Sequence, residues 1–126
     1  MQEVKFNFED LIVYQKSLDF VDLVYNTCDK FPKKETYILA SQYIRAANSI
    51  ALNISEGAGA SDAQFNRYLQ MALDSTRECV VCSTIATRRK YISGDQNKNV
   101  RIKLAELSKM ITSLQKHLKN KKKTNH

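Results

Sequence analysis

Cys79-Val-Val-Cys82 is a pair of side chains spaced as a redox dithiol or half of a zinc site would be. A dithiol gains reactivity at a helix N-terminus, and a structural zinc needs two further ligands. The pair falls inside a long helical pattern instead, so buried apolar thiols are the expectation for both cysteines. His117 and His126 are the only histidines, one near the end of a helical stretch and one at the chain's end. No Glu-x-x-His pair of the kind that builds a di-metal centre in a bundle core occurs. Gly57-x-Gly59 follows a helical pattern rather than a strand, which excludes a phosphate-cradling loop. The reading is therefore a non-enzyme, with no catalytic residue, no metal and no cofactor.

The remaining chemistry is electrostatic. The formal charge of +7 is unevenly spread: residues 1–84 hold 8 Lys+Arg against 11 Asp+Glu, and residues 85–126 hold 12 against 2. A basic block of this kind binds polyanions by releasing their counterions. A second polar feature is the stripe Gln42, Arg45, Ser49, Asn53 and Glu56, which shares one side of a helix. Arg45 and Glu56 are eleven residues apart, roughly 16 Å along the axis, too far to pair within one chain. The stripe is read as a structural or subunit interface, where amides and an Arg make directional contacts.

These groups must be positioned by helices. Three glycines and one proline are too few for an all-β chain. Leu11, Tyr14, Leu18, Val21, Tyr25 and Cys28 recur at spacings of three and four, after a start signal at Asn7 and Asp10, and predict helix one. Phe31-Pro32 ends it. Lys33-Lys34-Glu35 opens helix two, whose broad alanine-rich face carries Leu39, Ala40, Tyr43, Ile44, Ala46, Ala47, Ile50, Ala51 and Ile54. Gly57-Ala-Gly59 supplies a flexible C-terminal cap. Ser61 and Gln64 have capping-box spacing and start helix three, with a core row of Phe65, Leu69, Ala72, Thr76, Cys79, Ser83 and Ala86. After a break at Tyr91-Ile-Ser-Gly94, Val100, Leu104, Leu107, Ile111, Leu114 and Leu118 mark helix four. Residues 120–126 are expected to be a disordered basic tail, leaving a single domain over residues 1–119.

Four amphipathic helices with short connections predict an all-α, antiparallel up-down-up-down four-helix bundle. That topology brings both odd-numbered connections to one pole. Lys30, Lys33, Lys34, Arg88, Arg89, Lys90, Lys98, Arg101 and Lys103 collect there as a nucleic-acid-binding set, with Tyr37 and Tyr91 near enough in sequence to stack on unpaired bases. With no apolar run of 18 residues and no basic-then-apolar start, a cytoplasmic protein that avoids membranes is expected.

Phe8-Glu-Asp-Leu-Ile-Val-Tyr-Gln15, Phe31-Pro-Lys-Lys-Glu35, and Gln42-x-x-Arg45-Ala-Ala-x-Ser49-Ile-x-x-Asn53-Ile-x-Glu56-Gly57 together resemble a bacterial four-helix-bundle family. Its members are encoded in intervening sequences of large-subunit ribosomal RNA genes. Phe65-x-x-Tyr68-Leu69-x-x-Ala72 and Ser75-x-x-Glu78 extend the resemblance, which spans about residues 6–92. It implies a closed ring, a homopentamer, and kinship with the basic accessory proteins of diversity-generating retroelements, which act with a reverse transcriptase and nucleic acid. The expected function is an oligomeric bundle that binds RNA or DNA electrostatically, with a nucleic-acid enzyme as a possible protein partner. The alternative is a protein-interaction scaffold without direct nucleic-acid binding.

Overall fold

The computed structural model describes residues 4–124. A 3-10 turn at Asn7–Asp10 leads into α1 (Ile12–Cys28), and a second 3-10 turn at Lys33–Glu35 precedes α2 (Leu39–Ala58). The chain continues through α3 (Asp62–Arg88) and α4 (Gly94–Thr124), and no described residue lies in a strand. Contacts fix the sense of each helix against the next. Along α3 and α4, Arg101 meets Thr84, Ser108 meets Thr76, Gln115 meets Asn66 and Lys121 meets Asp62, so one index rises as the other falls. Ser75 meets Ser49 while Tyr68 lies beside Gly57, and Tyr25 meets Asn48 while Cys28 meets the Ala40 carbonyl, which extends the alternation to the other pairs. The bundle is closed most extensively between α2 and α3 and least between α1 and α4.

Alanine explains the first of those seams. Ala46, Ala47 and Ala51 lie on the buried face of α2 beside Tyr43, Ile50 and Ile54, and short side chains let α3 come close. At Gly57 the approach is close: a Cβ there would sit 2.7 Å from Phe65 Cδ1 and 2.8 Å from Tyr68 Cβ. This corrects the expected role of the Gly57-Ala-Gly59 segment. No glycine has a positive φ, α2 runs through Ala58, and Gly57 serves packing between helices, not a left-handed cap.

The core rows of α3 and α4 are those expected, with Cys82 added to the first and Phe65 and Leu114 only partly buried. Helix one is different. Its buried row is Val13, Ser17, Phe20, Val24 and Cys28, while Leu18 and Tyr25 stay 40% and 44% exposed. Two adjacent rows of α1 have three-four spacing, and the one containing Ser17 wins because it carries Phe20. The serine is buried without an unmet bond, since its hydroxyl donates to the Tyr14 carbonyl at 2.6 Å.

Three boundaries also move. The expected start of helix two at Lys33 is only the short 3-10 turn, and the α-helix begins six residues later. Thr36-Tyr37-Ile38 is a run of weak helix formers, and Ile38, at φ −117° and ψ −96°, lies outside the helical region. Helix one likewise begins at Ile12, after Leu11 in an extended conformation. At the other end, α4 continues through Thr124, so residues 120–124 of the expected disordered tail are helical, whereas 125 and 126 lie outside the described residues. Lysine is a good helix former, and cations are favoured at a helix C-terminus. The start of α4 holds a capping box that the sequence reading missed: Ser93 Oγ accepts from the Gln96 amide at 3.1 Å, and Gln96 Oε1 accepts from the Ser93 amide at 2.7 Å. It has the spacing already recognised at Ser61 and Gln64.

Candidate nucleic-acid interface

The pole where α1 and α3 end is built around Tyr91. Its ring packs against buried Phe31 at a centroid distance of 5.4 Å, and its hydroxyl donates to Glu35 Oε2 at 2.7 Å. That bond to a carboxylate, with partial burial behind it, holds the phenol above its ordinary range. One side chain thus ties the α3–α4 connection to the α1–α2 connection. Sequence reasoning offered Tyr91 as a base-stacking residue and did not anticipate this contact, because the two partners are 56 residues apart. Tyr37, in contrast, is 92% exposed and presents its ring to solvent.

Lys34 and Arg89 line one open hollow of about 530 Å³ together with Glu35, Ile38 and Tyr91. Arg88 and Arg89 line a second beside Ile85. Lys30, Lys33, Lys90 and Lys98 are exposed on the same connections or at the first turns of α4. Arg101 lies one turn further along and donates to Thr84 Oγ1 at 2.7 Å, which fixes its guanidinium on the α3–α4 seam. Lys103 does not join them. At 100° per residue it is turned well away from Lys98 and Arg101. It lines a small cavity between α1 and α4 with Lys16, Asp19 and Glu106. Glu106 accepts an ion-paired hydrogen bond from Lys16, which holds the carboxyl below and the ammonium above their usual ranges.

Lys90 is the one described residue other than glycine with a positive φ, at 65°. It occupies the left-handed position of a Schellman motif, in which the Tyr91 amide donates to the Ala86 carbonyl and the Lys90 amide to that of Thr87. Glycine is the usual solution there, and a side chain costs roughly 1 kcal/mol. Lys90→Gly is therefore expected to raise the thermal midpoint by a few degrees in a scanning melt, while removing one cation from the pole. An unchanged or lowered midpoint would show that the lysine relieves its own strain.

The polar stripe of α2 divides into two parts. Gln42, Arg45 and Glu56 are exposed, whereas Asn53 is buried at 9% exposure and donates to the carbonyl and hydroxyl of Ser49. Ser75 of α3 donates to the same Ser49 hydroxyl at 3.0 Å, so Ser49 and Asn53 join two helices of one chain. Of the expected structural or subunit-interface stripe, Asn53 and Ser49 lie at the α2–α3 seam, where the Asn53 amide is satisfied inside the bundle. Elsewhere, α3 exposes Met71, Val81 and Ile85.

The three thiols are free and buried. Burial pushes the Cys28 thiol up to about 12 and Cys82 to about 11, and it raises Cys79 further. They are protonated and unreactive at neutral pH. Tyr43 lies among them, and burial raises its phenol too. Its hydroxyl is buried beside Ser83, whose own hydroxyl donates to Asn97 Oδ1 at 2.7 Å. No group of three or more His, Cys, Asp or Glu side chains among the described residues is arranged to hold a metal, and no described helix is long and apolar enough to cross a membrane.

The family model described as 23S rRNA-intervening sequence protein matches residues 9–113. Among solved structures, the chain is similar to a protein of unknown function of the S23 ribosomal protein family from Bacteroides thetaiotaomicron. The two share 27% identity and a TM-score of 0.77 over 83% of this chain and 99% of the other. No curated protein matches.

Proposed function

The chain belongs to the 23S rRNA-intervening sequence protein family, and from that premise and its charge distribution we propose that it is an oligomeric helical bundle that binds RNA or another nucleic acid through its basic pole. The observation that carries this reading is the pairing of Lys34 with Arg89 in one hollow, flanked by exposed Lys33, Arg88 and Lys90. Cations from two connections far apart in sequence then face one ligand. Such a surface neutralises phosphates and reads little sequence, because few of its groups have the fixed bidentate geometry that base recognition needs. Tyr37, free of partners, is placed to stack on an unpaired base.

The oligomer is a homopentameric ring in this reading, and its contacts involve the exposed part of the α2 stripe, Gln42, Arg45 and Glu56. A nucleic-acid enzyme is the protein partner such a ring would serve. The exposed Met71, Val81 and Ile85 favour subunit burial of the adjoining α3 surface.

Titration of labelled RNA and DNA at increasing salt tests the central claim. Affinity is expected to fall steeply with salt, and neutralising Arg88, Arg89 and Arg101 to Gln is expected to flatten the logarithmic slope by about 2.7, at ~0.9 per phosphate contact. Absence of binding to both nucleic acids at low salt overturns the proposal. Light scattering on the same samples should give five times the mass of the chain, and a monomer at micromolar concentration removes the ring.

A further inference from the structure

The cations of the pole reach α4 only at its start, at Lys98 and Arg101. At 100° per residue, Lys109 and Lys116 continue the line of Lys98 on the side of α4 opposite its buried row of Val100, Leu104, Leu107, Ile111 and Leu118. All three are exposed, and none forms an ion pair among the described residues. The acidic residues of this helix are Asp95 and Glu106, and Glu106 is taken by Lys16 on another side. From Lys98 to Lys116 the ridge is about 27 Å long, most of one turn of a nucleic-acid duplex.

Along it is an open hollow of about 340 Å³ lined by Ser108, Lys109, Thr112, Ser113 and Lys116. Lys109 and Lys116 are two helical turns apart, roughly 10 Å. Between them Thr112 and Ser113 expose hydroxyls, and Ser108 shares its own with Thr76 at 3.3 Å. Two ammonium groups flanking hydroxyl donors can hold phosphate oxygens, one by charge and the other by hydrogen bonds.

We infer that the outer ridge of α4 is a second nucleic-acid site, with the Lys109–Lys116 hollow as its phosphate seat, and that its ligand is the backbone of a double helix. The inference rests on the nucleic-acid reading of the pole and extends it to a different surface and a defined ligand class. A single strand is disfavoured because α4 contains no Phe, Tyr or Trp on which bases could stack. A membrane surface is disfavoured because the apolar row of α4 is buried in the bundle, leaving Ile102 as its exposed large hydrophobic residue. Duplex phosphates need neither feature. They present a rod of closely spaced charge that a straight cationic ridge can follow.

The test compares the full-length protein with Lys109→Gln/Lys116→Gln and with Arg88→Gln/Arg89→Gln. Ligands are a 20-base-pair duplex in RNA and DNA forms, one strand of it, and phosphatidylserine vesicles. The ridge variant is expected to lose roughly tenfold or more in duplex affinity at about 0.1 M salt, with a salt slope shallower by ~1.8, and to keep its affinity for the single strand. Lys109→Arg/Lys116→Arg should restore duplex binding, and both ridge variants should melt as the parent does. The preferred duplex form identifies the RNA or DNA source. If the ridge variant binds duplex like the parent while the pole variant does not, the ridge inference fails and the pole reading stands. A loss confined to vesicle binding also overturns the ridge. If the parent binds none of the nucleic acids, both readings fall together.

Discussion

Replacing Phe20 with Ala is expected to destabilise the protein by about 3–5 kcal/mol, whereas Leu18→Ala should cost about 1 kcal/mol or less. Phe20 is 1% exposed, in the buried row of α1, with one edge lining the small cavity between α1 and α4. Removing its ring enlarges that cavity at the seam with the least contact to compensate. Leu18 is 40% exposed, so truncation gives up little buried area. Domain stabilities are about 5–15 kcal/mol, so the Phe20 variant should lose a large share of the total. Denaturant unfolding at one fixed protein concentration measures both. Equal costs, or a larger cost at Leu18, would restore the row expected from spacing alone.

Gly57→Ala and Gly59→Ala should move stability in opposite directions. At Gly57 the new methyl group meets Phe65 Cδ1 at 2.7 Å and Tyr68 Cβ at 2.8 Å. Phe65 can turn its ring, but a Cβ moves only with the backbone, so α3 must shift along its most extensive seam. Overpacking of this kind costs about 1–3 kcal/mol, and the helix propensity of alanine returns at most about 1 of it. Gly59 has open space around it and φ −93°, which alanine adopts without strain. Its replacement should stabilise by about 0.4–1 kcal/mol through a less flexible unfolded chain. Thermal melts of the two variants decide the matter, and a stabilised Gly57→Ala would mean that α2 and α3 are not held at this distance.

The same positions show what the sequence could convey. Helices three and four each carry one apolar row, so spacing alone identifies Leu69 through Ala86 and Val100 through Leu118. Helix one carries two adjacent rows, and the choice between them depends on which the neighbouring helices cover, a tertiary fact. Local signals were sufficient at Ser61 and, had the same spacing been applied, at Ser93. They were insufficient at Lys33, where a proline and two lysines resemble a helix start but three weak helix formers delay it. Of the candidate site, the charge and its collection at one pole were legible from topology. The partition of that charge was not: Lys103 faces α1 and Tyr91 binds Glu35, each through a partner remote in sequence.

The unequal seams have a mechanical consequence. Helix one is held to α2 along its length, but towards α4 it has little more than the Lys16–Glu106 ion pair and the edge of Phe20. Exposed ion pairs are weak fastenings in salt. Helix four is likewise held along its length by α3, so the α1–α4 edge is the least secured part of the bundle. Opening is therefore expected first along the α1–α4 edge, with the α1–α2 and α3–α4 seams as hinges, and it uncovers the side of α4 where Lys103 and Glu106 reside.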